Sequence, residues 1–265
     1  MKEKKPVKIL ERRLGKLREK KSLLSLELTG ESLHAFRVEV KKLMALIRML
    51  NTVLPPDQPM KAGKKFKTIY HFTGIIRNLE LHEKRVLTYF ENQHLLRPSS
   101  YLSILDDEKV KARASLKESL DDFSLHDFEH RLLADVPEQF NVEDCRNYLL
   151  QQKHVLNAVT ISSGDEQIHE TRKMLKDIGY NRKYLEACLD EGFPSVLLKK
   201  EETNALTEAL GNFQDLCVAL GYLDPLYLEN LEAEEKSKLL ELKEKLDDER
   251  KNLRMELIQR IMNTW

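Results

Sequence analysis

Two stretches of this chain carry the same pattern, in which a histidine is followed by an arginine three positions later and by a lysine four positions after that. The first reads HAFRVEVKK at positions 34 to 42, and the second reads HETRKMLKD at positions 169 to 177, an offset of 135 residues. A fold that contains such an internal repeat must accommodate the same element twice. This repeat therefore constrains the architecture more than any other feature of the sequence.

On an α-helix, which turns by about 100° per residue, the repeated positions form one basic stripe about 60° wide. Apolar residues such as Phe36 and Leu43 occupy the opposite side of the first copy, and Leu175 and Ile178 do so in the second. Each copy is therefore predicted to be an amphipathic helix that buries one face and presents cations on the other. The stripe residues are His34, Arg37, Lys41 and Arg48 in the first copy and His169, Arg172, Lys176 and Lys183 in the second.

Other residues extend these basic surfaces. In the second copy Tyr180 lies on the stripe, where its hydroxyl could donate a hydrogen bond, and Lys173 adds a cation beside the stripe arginine. On the helix that follows the first copy, Lys64, Lys67 and His71 share a face opposite apolar residues. The sequence therefore predicts a second basic surface in the first half of the chain.

A second landmark is also repeated, because GIIRNLE from Gly74 matches GNFQDLC from Gly211 at an offset of 137 residues. Two landmarks at nearly the same offset indicate a duplication. A glycine inside an apolar helical pattern costs helix stability. Its presence at both matching positions indicates either close helix packing or the close approach of a ligand.

The remainder of the chain is typical of an all-α protein. Glycine is rare, with 9 residues of 265, β-branched runs are few, and 33% of the residues are charged. Clusters of proline, glycine and serine divide the chain into blocks of helical periodicity, from which we predict seven to nine helices and no strand. Residues 226–264 are predicted to form one long amphipathic helix, with a coiled-coil arm as the alternative.

The charge distribution points to an anionic ligand. The formal net charge is zero, yet residues 1–97 hold 22 Lys and Arg against 10 Asp and Glu, which leaves the rest of the chain acidic. Like charges along one helix face repel, so a fold tolerates such stripes more readily when an anion neutralises them. Arginine and lysine both bind phosphate oxygens well. The alternative is that each cation pairs with an acidic residue on a neighbouring helix.

The paired stretches HAFRVEVKKLMALIR and HETRKMLKDIGYNRKYLE, each followed by a helix of the form G-x-x-[RQ]-[ND], resemble the two halves of a conserved histidine α-helical (CHAD) domain. The resemblance implies one compact domain over residues 1–265, built from two pseudo-symmetric antiparallel helical bundles of about residues 1–140 and 141–265. It also implies non-enzymatic binding of inorganic polyphosphate in a central basic groove or pore. The matching positions are His34, Arg37, Lys41, Arg48, Arg77, His169, Arg172, Lys173, Lys176 and Lys183.

The sequence departs from the family pattern at three positions. Asn78 stands where the family has an acid, Gln214 replaces a basic residue, and Asp177 replaces a cation. We therefore expect the second half of the site to bind its anion less tightly.

Motifs for other chemistry are weak or missing. No nucleotide-binding loop or esterase motif occurs, and His126 and His130 lack a third metal ligand, so neither a catalytic residue, a cofactor nor a metal site is predicted. Members of the family that this chain resembles are often joined to a triphosphate-tunnel (CYTH) enzyme domain. EAEEK at 232–236 matches their Glu-x-Glu-x-Lys signature but lies in a helical pattern. With no apolar run of the length of a secretory signal or membrane span, we expect a cytoplasmic protein that associates with polyphosphate granules.

Alternatives to polyphosphate binding remain open at this stage. A nucleic-acid binder would use the same cations but should interleave them with stacking aromatics, and only Tyr180 lies on a stripe. An enzyme acting on polyphosphate would need clustered carboxylates for a metal, which the stripes lack. A helical scaffold could instead dock an acidic protein, or a protein that metabolises polyphosphate could be the partner. The sequence does not predict the oligomeric state.

Overall fold

The computed structural model describes residues 5–160, 162–189 and 200–264, which form helices without any strand, so the predicted all-α class is confirmed. Within this part of the chain there are ten helices. In chain order they are α1 (Pro6–Leu26), α2 (Gly30–Leu50), α3 (Lys64–Asn92), α4 (Ser99–Asp121), α5 (Leu125–Ala134), α6 (Val142–Asn157), α7 (Asp165–Leu189), α8 (Lys200–Gly221), α9 (Pro225–Leu228) and α10 (Ala233–Thr264).

The helix that carries the first repeated motif begins at a capping box. The Thr29 hydroxyl accepts a hydrogen bond from the backbone N–H of Ser32, and the Ser32 hydroxyl accepts one from the backbone N–H of Thr29. Asn141 and Asp144 form the same reciprocal arrangement at the start of α6. These caps satisfy N–H groups that have no partner inside a helix, which fixes where each helix begins.

The two helices that carry the repeated motif, α2 and α7, pack against each other at the centre of the molecule. Helices α1 and α3 flank α2, and helices α6 and α8 flank α7. The side-chain amide of Asn181 donates to the backbone carbonyl of Ala45 at 2.9 Å, which ties α7 to α2 by a buried hydrogen bond. This packing brings the two basic stripes of the sequence to one place.

Two groups of buried apolar residues hold the helices together. The larger one includes Phe36 and Leu43 of α2 and Leu175 and Ile178 of α7, each at most 3% exposed, so the predicted apolar faces of both repeats lie in the core. The smaller one joins the C-terminal half of α3 to α4, α8, α9 and α10. The pseudo-symmetry of the two halves stays a prediction. No helix within the described residues is long and apolar enough to span a membrane.

The prediction of one continuous helix over residues 226–264 is wrong at its start. Pro225–Leu228 forms a single separate turn, α9, and α10 begins only at Ala233. The short turn buries Leu228, which is 1% exposed, in the smaller core. The chain then bends before it continues as α10, and this extra turn takes the number of helices in the described residues one above the predicted range.

Candidate functional site

A groove of about 400 Å³ lies where α2, α3 and α7 meet. Its cationic lining comes from both repeated helices and from α3, and its remaining lining is mostly apolar or aromatic. Of the residues that the sequence predicted for the site, those that line the groove are Lys41, Arg48, Lys67, His169, Arg172, Lys173, Lys176 and Tyr180.

Lys41 of α2 is the cation most affected by this arrangement. Its pKa falls from the ordinary 10.5 to about 8, first because the side chain is largely removed from water and then because Arg37, Arg172 and Lys176 lie nearby. Asp215 opposes this shift more weakly. Two of the three neighbouring cations belong to α7, so the stripes of the two repeats share one electrostatic environment.

The cationic surface continues from the groove along α2 toward its N-terminus. Burial lowers the pKa of His34, and the nearby charges of Arg77, Lys41 and Arg37 lower it further. Burial likewise lowers the pKa of Arg37, with a further contribution from Arg77. These predicted residues do not line the groove itself, but they extend its positive potential.

In each repeat, the stripe arginine faces a glycine on the helix that follows. A Cβ atom on Gly74 would lie 2.8 Å from Nη1 of Arg37, too close for any side chain to be accommodated without movement. The same Nη1 donates to the backbone carbonyl of Tyr70 at 3.0 Å, which holds the guanidinium in that position. In the second repeat Gly211 faces Arg172, but a Cβ there would lie 3.8 Å away, an ordinary contact. The structure therefore shows a close approach at Gly74 only, and an arginine side chain makes it, whereas the sequence predicted close helix packing or the approach of a ligand at both glycines.

The stripe arginine of the second repeat is less anchored than that of the first. Nε of Arg172 is buried without a hydrogen-bond acceptor among the described residues. A buried donor without a partner costs free energy, and an anion entering the groove could supply the acceptor.

The alternative in which cations pair with acids applies to some predicted residues. Nε and Nη2 of Arg48 donate to the two carboxylate oxygens of Asp177 at 2.5 and 2.6 Å, a bidentate pair that links α2 to α7. Burial raises the pKa of Asp177, and the guanidinium opposes this rise. Lys173 pairs with Glu170 at 3.1 Å. In contrast, no carboxylate among the described residues forms an ion pair with Lys41, Arg172 or Lys176.

The two stripe histidines have different partners. Nδ1 of His169 lies 2.6 Å from Oε1 of Gln214, so the histidine donates and the glutamine accepts. This hydrogen bond orients the ring and places the remaining hydrogen-bonding capacity on Nε2. At the matching position of the first repeat, Arg77 lies near His34 and also pairs with Glu80 at 3.4 Å. Gln214, which the sequence analysis identified only as the replacement of a basic residue, therefore orients the ring of His169.

Besides His34, Arg37 and Arg77, three more predicted residues lie outside the groove. Lys64 and His71 of α3 and Lys183 of α7 are exposed, and none of them contributes to the groove lining. Lys67, on the same face of α3, does contribute. The groove therefore occupies only part of each predicted basic surface.

Sequence reasoning missed Tyr70 and the pairing role of Asp177. Tyr70 of α3 lines the groove, and the Arg37 guanidinium lies 4.6 Å from the centroid of its ring. Helical periodicity places Tyr70 within the same face as Lys67 and Gly74, so this signal was present in the sequence. No local signal identifies the partner of Asp177, which lies 129 positions away.

The structure gives no new support to a metal site at the paired histidines of α5. His126 and His130 are exposed, with ring centroids 6.5 Å apart. Across residues 5–160, 162–189 and 200–264, no group of three or more His, Cys, Asp or Glu is arranged to hold a metal ion.

The fold and the groove define a class of all-helical proteins in which two central helices carry a shared cluster of cations. A comparison with protein-family models matches residues 8–224 to the CHAD domain. The match spans most of the chain, and the protein belongs to the CHAD domain family. Among curated proteins, no sequence matches this chain.

Solved structures with the same fold include two distant relatives. PptA from Streptomyces chartreusis matches with a TM-score of 0.68 at 13% sequence identity, and the match covers 96% of this chain and 99% of that one. The CHAD domain from the plant Ricinus communis matches with a TM-score of 0.60 at 17% identity over 93% of this chain and 89% of that one. At these identities the likeness establishes the fold alone.

Proposed function

We propose that this protein binds inorganic polyphosphate in the groove between α2, α3 and α7 without hydrolysing it. The observation that carries the proposal is the group of cations at Lys41, Arg172 and Lys176, which come from two helices. Among the described residues none of the three forms an ion pair with a carboxylate, and Asp215 and Glu208 act on the two lysines only through weaker electrostatic contributions. Such a group raises the energy of the empty protein, and a linear anion with closely spaced charges neutralises it.

The roles of the individual residues follow from their anchoring. Arg37, held by the Tyr70 carbonyl and the space at Gly74, presents a fixed guanidinium, whereas Lys41 and Lys176 act as mobile point charges. Arg172 gains an acceptor for its buried Nε. His169, oriented by the hydrogen bond from its Nδ1 to Gln214, donates at Nε2 to the anion when its imidazole is protonated. None of these roles requires a bond in the ligand to be broken.

The proposal includes a setting for this binding. A polyphosphate-binding module of this kind would act in the cytoplasm, at polyphosphate granules or beside a protein that metabolises polyphosphate. Other polyanions of similar charge density would compete for the same groove.

The test is a titration of long-chain polyphosphate into the whole chain in phosphate-free buffer, followed by calorimetry. Replacing Arg37 and Arg172 together by Glu should abolish measurable binding, because each loses a charge-assisted hydrogen bond and gains a repulsive charge. The matched control replaces Lys111 and Lys117, both exposed on α4, by Glu, which changes the net charge equally and should leave affinity within a few-fold.

Three further measurements complete this experiment. Far-UV circular dichroism must show that both double variants stay helical, and retained binding in a folded Arg37→Glu, Arg172→Glu variant would remove these residues from the site. Affinity should fall by orders of magnitude between low and moderate salt, as for other proteins that make several phosphate contacts. Release of phosphate from polyphosphate on addition of Mg²⁺ would contradict the non-enzymatic assignment.

A further inference from the structure

The groove has an apolar wall that an inorganic phosphate chain cannot use. Beside the cations, its lining includes the partly exposed side chains of Met44 of α2, Tyr70 of α3 and Tyr180 of α7, and the buried core residues Val40 and Phe66 lie behind them. Polyphosphate has no apolar surface to bury against such side chains. Pockets that hold small organic ligands typically have volumes of about 300–1,000 Å³ and are lined mainly by apolar and aromatic side chains with a few polar groups. At about 400 Å³, this groove falls within that range of volumes, and its lining combines apolar and aromatic side chains with a larger number of charged ones.

The aromatic side chains of the wall come from different helices. Tyr70 of α3 and Tyr180 of α7 are both partly exposed and close enough to influence each other electrostatically. The Arg37 guanidinium lies over the Tyr70 ring, and Nη2 of Arg13 donates to the backbone carbonyl of Tyr180 at 3.2 Å, so neighbouring groups support both aromatic positions. The sequence placed only Tyr180 among the cations, and the fold adds a second tyrosine.

The density of cations distinguishes between possible aromatic anions. Nucleic acid carries one phosphate per nucleotide, whereas Lys41, Arg172 and Lys176 line one groove of about 400 Å³. Several cations in a groove of this size match a run of directly linked phosphates better than a sugar-phosphate backbone.

We propose that the groove binds nucleoside polyphosphates in preference to inorganic polyphosphates of the same length, with the base against Tyr180 and Tyr70 and the phosphates on Lys41, Arg172 and Lys176. This inference rests on the proposed anion-binding function of the same groove and adds the class of ligand. Stacking of a base on an aromatic side chain tolerates any base, so the preference extends to both purine and pyrimidine nucleotides.

The experiment compares adenosine 5′-tetraphosphate with inorganic tetraphosphate by calorimetry on the whole chain. The inorganic ligand carries at least as much charge, so a preference for the nucleotide cannot be electrostatic. We expect the nucleotide to bind about tenfold tighter, in line with the contribution of one stacked base. Tyr180→Leu should lower the affinity for the nucleotide about tenfold more than that for inorganic tetraphosphate and so remove the preference, whereas Tyr180→Phe, which keeps the ring, should retain it.

The outcomes separate this inference from the proposed function. Equal affinity for the two ligands overturns the nucleotide preference while polyphosphate binding stands, and binding of neither ligand overturns both. If Tyr180→Leu fails to fold by circular dichroism, Tyr70→Leu provides the same comparison. An equal loss of affinity for both ligands in the folded variant contradicts stacking. A single-stranded RNA oligonucleotide that binds more tightly than adenosine 5′-tetraphosphate would assign the groove to RNA instead.

Discussion

Replacing Lys41 by Met should stabilise the empty protein while weakening its binding of polyphosphate. In the folded state the pKa of Lys41 is about 8 against an ordinary 10.5, because burial and three nearby cations disfavour its charged form. At pH 7 the lysine is protonated in both the folded and the unfolded states, so the folded state carries the full cost of that charge. Met retains most of the apolar stem and removes the charge.

The magnitude follows from the pKa difference. A fall from 10.5 to about 8 corresponds to about 3 kcal/mol, at roughly 1.36 kcal/mol for each tenfold change in proton affinity. Lys41 keeps some exposure, and solvent screening reduces the value, so we expect a gain of about 1–2 kcal/mol in the free energy of unfolding at pH 7. The same substitution should lower polyphosphate affinity about tenfold, since it removes a charge-assisted contact.

The pH dependence provides a sharper test. Between pH 8 and pH 10.5 the unfolded state of the wild type binds more protons than the folded state, so its free energy of unfolding rises with pH. The advantage of Lys41→Met should therefore shrink over this range and be mostly lost by pH 10. Urea unfolding followed by circular dichroism at pH 7 and pH 10, in phosphate-free buffers, measures both quantities. Lys67→Met, at an exposed position of the same groove, is the control and should change stability by less than about 0.5 kcal/mol. A lower urea midpoint for Lys41→Met at pH 7, or an advantage that does not change with pH, would refute the reasoning.

Two further predictions concern residues that shape the groove. Gly74→Ala should lower the free energy of unfolding by about 1–3 kcal/mol and weaken polyphosphate binding several-fold, because its Cβ would displace the Arg37 guanidinium. Gly211→Ala should leave the free energy of unfolding unchanged or raise it by up to about 1 kcal/mol. Thermal unfolding and calorimetric titration of both variants measure these effects, and equal effects in the two variants would contradict the prediction. Asp177→Asn should lower the free energy of unfolding by about 3 kcal/mol, because it leaves the Arg48 guanidinium without its carboxylate. Urea unfolding measures this loss. A variant as stable as the wild type would show that the pair contributes little to stability.

The sequence predicted the central helices well because their determinants are local. Apolar residues at helical spacing define the buried faces of α2 and α7, and the capping residue Thr29 defines where α2 begins. The repetition of the basic stripes led to the expectation that both belong to one surface, and in the structure Arg172 lies near enough to Lys41 to contribute to the lowering of its pKa. Periodicity alone was sufficient for this much.

The sequence could not predict which residues of each stripe line the groove, because that depends on how neighbouring helices cross. Lys64, Lys67 and His71 share one face of α3, yet only Lys67 lines the groove where α7 approaches. The pairing of Arg48 with Asp177 is likewise a contact between distant positions. The helical break before α10 was missed because burial of Leu228, a tertiary effect, outweighs the continuous amphipathic pattern.

The contacts between α2 and α7 divide into two kinds that oppose each other. The hydrogen bond from Asn181 to the Ala45 carbonyl and the bidentate Arg48–Asp177 pair hold the helices together. On the same two helices, Lys41 and Lys176 bring cations without an ion-paired carboxylate to the junction. Burial and the nearby Arg172 lower the pKa of Lys176 as well, and Glu208 opposes this shift. Because the attractive contacts keep the repelling cations in place, the proposed site would be organised before an anion arrives, and little conformational entropy would be lost on binding. An anion that occupies the groove relieves the repulsion and stabilises the folded state by an amount that grows with its concentration. The destabilising cations are therefore maintained by the fold itself, which is the arrangement expected of a binding site and not of a surface that serves only solubility.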